Sequence, residues 1–251
     1  MSQGLLLAGD VFIDRFNSTG EATGLVGPIN VTQLSVNTPT EEKTRTSRKK
    51  ATRGQALDNV TTAQPTEVQI TIDDAPAEVL AMALLGEVEG INNGSGSATD
   101  EAITLPGNGR WVQLSKSNLA ETGLSAKLAI DDSAIANDAI EVNYAAGLVR
   151  AVIGSVVDAP AGTAIKLSYD YNALSGMRVK GGLKPQITAK ILLEGTNLTT
   201  GKAVKLTIPK ATLAPTAAVD FMADEFVSTQ LAGKAVLAAG ETSPFQYDEL
   251  A

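Results

Sequence analysis

Six bases crowd into thirteen positions of this 251-residue chain: Lys43, Arg45, Arg48, Lys49, Lys50 and Arg53, accompanied only by the acids Glu41 and Glu42. The segment carries +4 within a chain of net charge −8, so the remainder carries −12. A run of this kind contacts phosphates, docks on an acidic protein surface or stays solvated. No aromatic residue for base stacking is interleaved, two Glu residues open the run, and the rest of the chain is acidic. Docking on an acidic surface of an identical neighbour fits all three observations. Other chemistry-bearing residues are sparse. With no His and no Cys, imidazole acid–base catalysis, thiolate nucleophiles, zinc sites of the usual kind and disulfides are excluded. The carboxylate pairs Asp73-Asp74 and Asp131-Asp132 sit next to each other, which in extended chain points them to opposite faces. Helix-start and turn roles are expected for them. Calcium at Asp131, Asp132 and Asp138 stays open, although the spacing is not that of an EF-hand. In Gly195-Thr196-Asn197-Leu198-Thr199-Thr200-Gly201-Lys202, five residues instead of four separate the glycines, and Ala203 stands where a phosphate loop needs Ser or Thr. A β-turn is expected there. No catalytic residue, cofactor or metal is assigned.

The elements that must position the bases follow from hydropathy patterning. Apolar residues alternate with polar ones in Val68-Ile70-Ile72, Leu124-Ala126-Leu128-Ile130, Ile140-Val142-Tyr144, Ile165-Leu167-Tyr169-Tyr171, Ile187-Ala189-Ile191-Leu193 and Val204-Leu206-Ile208, the period of half-buried strands. Turn-rich stretches such as Gly107-Asn108-Gly109 and Asp158-Ala159-Pro160-Ala161-Gly162 separate them. A mainly β, antiparallel class is expected. One segment departs from it. Asp73-Asp74-Ala75-Pro76 precede Ala77–Leu85 and Gly86, acids and Pro at a start and Gly at a stop, which predicts a helix about 15 Å long. Val79, Leu80, Met82, Ala83, Leu84 and Leu85 leave it little polar face, so it should pack deep against a sheet, with Val79, Leu80, Met82, Leu84 and Leu85 as the packing residues. Ile91–Glu101, rich in Gly, Ser and Asn, is expected to be a flexible surface connection. Thr38–Thr62 holds the bases, lacks apolar periodicity and is far longer than an ordinary connection, so it is either functional or disordered in the lone subunit. Folded out as a hairpin of about ten residues per arm, it would reach on the order of 30 Å, enough to touch another subunit.

Composition narrows the function classes. Hydrophobic residues at 43% suit a packed chain, long enough for one large β domain or two ordinary ones. Aromatics at 4% are too few for a sugar- or base-stacking platform. Met1-Ser2-Gln3-Gly4 and the short apolar run Leu5–Ala8 lack the features of a signal peptide, and no apolar stretch approaches the roughly 18 residues of a span. Synthesis in the cytoplasm and no membrane partner are expected.

An N-terminal strand pair, a long charged loop, the strand Glu67–Ile72, a short buried helix at Pro76–Leu85 and a β-rich later half succeed one another. Towards the C-terminus, Gly182-Leu183-Lys184-Pro185 leads through Glu194-Gly195-Thr196-Asn197-Leu198 to the tract from Gly201 to Pro209-Lys210, then to Asp224-Glu225-Phe226 and a last strand around Gln230–Lys234. This succession resembles the tail-tube (major tail) proteins of long-tailed bacteriophages over nearly the whole chain. The resemblance implies a single domain, 1–251, of two packed antiparallel sheets, sandwich or barrel, with one flanking helix. It also implies a long inter-subunit loop at about 38–62, while the stretch at about 103–172 is either an insertion or an extra β region. Six subunits would form a ring through joined sheet edges, and rings would stack into a hollow tube that conducts DNA into the host. Lys43, Arg45, Arg48, Lys49, Lys50 and Arg53 would then be inter-ring contacts. Further copies, a tape measure protein, DNA passing through the lumen without sequence-specific binding, and tail terminator and baseplate proteins would be the partners. The location implied is the virion tail, assembled in the bacterial cytoplasm. An acidic lumen suits such a role, because weak repulsion lets phosphates slide.

Two other classes share some of these features. Another tail structural protein, whether terminator, baseplate ring or decoration protein, would have the same composition and a different copy number per particle. A β-sandwich that binds or cleaves glycans through Asp and Glu is disfavoured by the low aromatic content. The expectation is a structural protein and not an enzyme.

Overall fold

The structure, a computed structural model, describes residues 4–17 and 19–250; Met1 to Gln3, the start of the stretch inspected for a leader, lie outside the described residues. The chain divides into two compact units, Met1–Glu89 with Arg178–Ala251, and Gly90–Met177. The extra β region expected at about 103–172 falls inside the second.

In the first unit β1 (Leu7–Phe16), β2 (Ala22–Ile29) and β3 (Val31–Asn37) precede a hairpin of β4 (Thr40–Thr46) and β5 (Ala56–Ala63). β6 (Glu67–Ile72), the helix α1 (Ala77–Ala83) and β7 (Glu87–Asn93) follow. The second unit contains β8 (Gly96–Leu105), β9 (Val112–Gln113), β10 (Ser125–Leu128), β11 (Ala134–Ile135), β12 (Ile140–Asn143), β13 (Leu148–Ala151) and β14 (Thr163–Tyr171). β15 (Leu174–Lys180) pairs with β7, so the two strands that leave and re-enter the first unit form one ribbon. β16 (Ile187–Asn197), β17 (Ala203–Pro215), β18 (Thr229–Ala235) and β19 (Gln246–Glu249) complete the first unit. The chain is mainly β, antiparallel, with one α-helix.

The first unit is built on an eight-stranded sheet in the order β2-β1-β16-β17-β18-β6-β3, with β19 added beside β17. β2 and β3 stand at opposite ends of this order although only Asn30 separates them in sequence. Consecutive Cα atoms lie about 3.8 Å apart, so the sheet must curl until its two end strands approach each other. The inside of the curl is the core: Val11, Ile13, Val68, Ile70, Ile72, Ile187, Ala189, Ile191, Ile208 and Leu213 are all buried. The alternation in β6 and β16 is therefore the alternation of burial. In β17 the inward phase shifts, from Val204 and Ile208 to Ala211 and Leu213, because the register against β16 slips between Ala189 and Ile191. Pro209-Lys210 occupies this bulge, where a residue without an N–H is tolerated.

α1 closes the same core with Val79, Ala81, Met82 and Ala83. It is shorter than expected: Leu84 caps it, and Leu85 turns into the left-handed region at φ 51° before Gly86. The acids before it do not cap it, since Pro76 is the N-cap and no side chain bonds the first turn. Asp73 instead accepts a hydrogen bond from Asn30 Nδ2 at 2.6 Å, fastening the corner between β2 and β3.

The second unit has a four-stranded sheet, β11-β10-β14-β8, and a three-stranded one, β12-β13-β9. Its separate core is formed by Leu105, Leu119, Val149, Ile165, Leu167 and Tyr169 among others. The expected strand around Leu124–Ile130 is trimmed to β10, and Ile130 sits in a turn, 90% exposed. The expected flexible connection at Ile91–Glu101 is also corrected. It forms β7 and β8 around a turn at Gly94-Ser95. β14 supplies the hydrogen-bonding partner, with Gly96 opposite Tyr171 and Ala98 opposite Tyr169. Ala98 packs on the core while Ser97 donates to Asp170 at 2.6 Å on the outer face.

Candidate assembly interface

Thr38–Thr62, expected as either a functional arm or a disordered one, is a hairpin. β4 and β5 pair with each other and, among the described residues, with no other strand. Every side chain along both strands is exposed. Thr and Val on these strands suit a pleated backbone, and the absence of apolar periodicity is explained by the absence of any buried face. At about 3.4 Å per residue the paired section is about 24 Å long, near the reach expected from the sequence.

The tip is more ordered than its composition implies. Ser47 is 2% exposed, with its N–H bonded to the Gln55 carbonyl at 2.7 Å and its carbonyl accepting from Gly54 N at 2.9 Å. The Ser47 and Thr52 hydroxyls meet at 2.7 Å, and Thr52 N–H reaches the Lys49 carbonyl. Gly54 sits at φ +88°, a conformation that closes the loop and suits glycine. This knot turns Arg48, Lys49, Lys50 and Arg53 outward, all exposed.

Charge is handled differently along the hairpin. On the stem the Arg45 guanidinium meets Asp58 at 2.5 and 2.8 Å, Lys43 lies 3.7 Å from Glu41, and Glu42 accepts from Asn59 Nδ2 at 2.5 Å. At the tip, Arg48, Lys49, Lys50 and Arg53 have no carboxylate partner among the described residues. The six expected contact residues therefore fall into two that are paired locally and four that are free to act between molecules.

The helix residues divide as well. Val79 and Met82 are buried, while Leu80, Leu84 and Leu85 are only half-buried. Ala83 is buried as well, and so is Ala81, which was not among the expected packing residues.

The other candidate residues are occupied by structural roles. Asn197 is buried, and its carbonyl accepts from Gly201 N at 2.7 Å while its Oδ1 accepts from Thr199 N and Oγ1. The Gly195–Lys202 segment is thus the end of β16 and the closed turn that leads to β17, not an open nest of amides. Asp131 accepts from the Ser133 amide and hydroxyl, and Asp132 pairs with Lys166 at 2.7 Å. Hydrogen bonds from Ser133 hold the Asp131 carboxyl below its usual range, and Lys166 does the same for Asp132. No group of three or more acidic side chains gathers as a metal cluster among the described residues.

Glu101 is a half-buried carboxylate engaged by three hydrogen bonds. Burial pushes its carboxyl up, but hydrogen bonds from Tyr169 Oη at 2.5 Å and from the Ser115 amide and hydroxyl, both at 2.9 Å, hold it below the ordinary range. A carboxylate held ionised in this way is a weak base near neutrality. It fastens residue 115 to β8 and β14. A cleft of about 280 Å³ beside α1 is lined by Ile13, Phe16, Met82 and Val88. Three of its charged groups are engaged: Lys184 pairs with Glu87 at 2.8 Å, and the Arg15 guanidinium donates to the Gly86 carbonyl.

One region carried no functional expectation. β17 and β18 pair directly up to Pro215 opposite Leu231, and Thr216 N–H bonds the Gln230 carbonyl at 2.9 Å. Two residues would close such a hairpin. Residues 217–228 instead form an irregular excursion in which Phe221, Met222 and Phe226 are 66%, 89% and 100% exposed. The signal was present in the sequence as large apolar residues interleaved with Asp220, Asp224 and Glu225, and no base between Lys210 and Lys234.

A family model described as "Protein of unknown function UCP028589" matches residues 5–244. No curated protein matches the chain.

Proposed function

We propose that this chain, which belongs to that family over nearly its whole length, is a non-enzymatic subunit that polymerises with copies of itself into a hollow tube. In this reading it is the tail-tube protein of a long-tailed phage, with rings of six stacked on one another. The observation that carries the reading is the β4–β5 hairpin, a β element with no buried face and a tip of four unpaired cations in a chain of net charge −8. An isolated two-stranded hairpin is marginal in water, so such an arm is understandable when a second molecule completes its surface.

Two further features support the reading. β2 and β3 are each hydrogen-bonded on one side only, and β2 is exposed along most of its length. Open edges of this kind are an aggregation hazard in a monomer and the joining device in a ring. Several carboxylates that could act in catalysis, Asp131, Asp132 and Glu101 among them, are, in addition, bound into turns, ion pairs and hydrogen bonds.

Negative-stain microscopy and sedimentation of the concentrated purified chain test the proposal. Tubes of uniform width are expected. A protein that stays monomeric at the highest soluble concentration contradicts it. A terminator or baseplate role would give single closed rings that never stack, and so separates from the tube by the same images.

A further inference from the structure

Resting on the reading that the arm stacks subunits, we propose that the receptor for the hairpin tip is the 217–228 excursion of a second copy of this chain. Three observations lead there. First, the excursion exposes Phe221, Met222 and Phe226, and two of the chain's five Phe residues lie in it. Apolar groups of that size, held out on a connection longer than its strands require, mark a surface that another molecule covers.

Second, the charges are complementary. Asp220, Asp224 and Glu225 interleave with the apolar residues, and Asp73, Asp224, Glu225 and Phe226 line a single hollow. None of Asp220, Asp224 and Glu225 has an ion-pair partner among the described residues, and Asp74 beside Asp73 is exposed as well. Three carboxylates thus line the hollow, and Asp74 and Asp220, close to them in sequence, are exposed. The tip offers four cations and no acid.

Third, the side chains at the tip suit an apolar receptor. Lys and Arg lay their methylene stems along apolar surface while keeping the charge at the end, and both are attracted to the face of an aromatic ring. Arg48, Lys49, Lys50 and Arg53 can therefore cover Phe221 and Phe226 and reach the carboxylates around them. The two surfaces lie on different parts of the same chain, so the contact is head to tail and propagates from each copy to the next.

The experiment reverses charge on each side in the full-length chain. Lys49→Glu/Lys50→Glu places acids on the tip, and Asp224→Lys/Glu225→Lys places bases in the receptor. All four positions are exposed, and circular dichroism with thermal melting checks that both variants keep the parent fold. Each variant alone is expected to lose at least about tenfold of its sedimenting polymer. An equimolar mixture is expected to regain it, because each normal tip finds a normal receptor and each reversed tip a reversed receptor, in strict alternation.

Polymerisation of the receptor variant at parent level overturns the assignment of 217–228 and leaves the arm reading intact. Polymerisation of the tip variant at parent level overturns the arm reading itself. Loss in both variants without recovery on mixing also overturns the pairing. Phe226→Ser, which changes no charge, is expected to reduce polymer at least about threefold, and an unchanged yield removes the apolar half of the proposal.

Discussion

The hairpin at residues 40–63 and the strands around residues 91–101 begin from similar sequence signals, short polar residues without an apolar period, and end as opposite kinds of β-structure. Along β8, Ala98, Ile103 and Leu105 turn inward against the core that β14 shares. Pairing there is reinforced by burial. Along β4 and β5 nothing turns inward, and the ribbon is held by its own ladder and by surface pairs such as Arg45–Asp58. The first arrangement stabilises the unit that contains it. The second buries no face and contributes little to the stability of its own molecule.

Proteolysis should separate the two regions most widely. In the monomer, trypsin is expected to cut at Arg48, Lys49, Lys50 and Arg53 at least about 1000 times faster than at Lys127 or Lys166, since an exposed ribbon opens at little cost and a core strand opens only with its whole unit. Mass spectrometry of timed digests reads the order. In the polymer the tip sites should become protected; protection of the tip in both states contradicts a tip that is covered only on docking.

Core truncation comes next. Leu167→Ala removes a fully buried side chain of β14 and is expected to destabilise the second unit by about 2–5 kcal/mol. Trp111, the single tryptophan, lies in that unit and reports its urea transition. Replacing Arg48, Lys49, Lys50 and Arg53 together by Ala should leave the same transition within about 0.5 kcal/mol. Equal effects would erase the distinction between the two regions.

The Glu101 network gives a pH test of the buried region. Because the folded-state carboxyl is held below its ordinary range, it stabilises the second unit at and above about pH 5, and this contribution is lost as pH falls from about 4.3 through the folded value. Glu101→Gln should flatten the acid limb of the Trp111 transition. An unchanged limb would assign the acid sensitivity elsewhere. The smallest effect is expected on the stem: Arg45→Ala breaks an exposed pair worth about 0–1 kcal/mol, so the rate of tip cleavage should rise less than about fivefold.

Much of this architecture was legible in the residues. Val68-Ile70-Ile72 and Ile165-Leu167-Tyr169 alternate because each strand buries one face, and the sheets bear this out. Pro76 and Gly86 bracket the helix, although the left-handed Leu85 ends it earlier than the apolar run implied. Ile91–Glu101 was misleading because Gly, Ser and Thr describe a small side chain equally well in a mobile loop and on the outer face of a paired strand. Only the partner strand distinguishes the two. The bases of the arm were visible as a cluster, but the division between a self-paired stem and a free tip depends on Asp58, thirteen residues beyond Arg45 in sequence. The 217–228 excursion is not legible in the sequence because its significance lies in exposure, and a Phe that is fully exposed looks in sequence like one that is buried.

Negative-stain images of the unmodified chain beside the variant with Ala at Arg48, Lys49, Lys50 and Arg53 bear most directly on a protein that stacks through the tip of one hairpin. Uniform tubes from the unmodified chain are expected, with separate rings or single subunits from the folded variant. Tubes of normal length from both, or from neither, would contradict it.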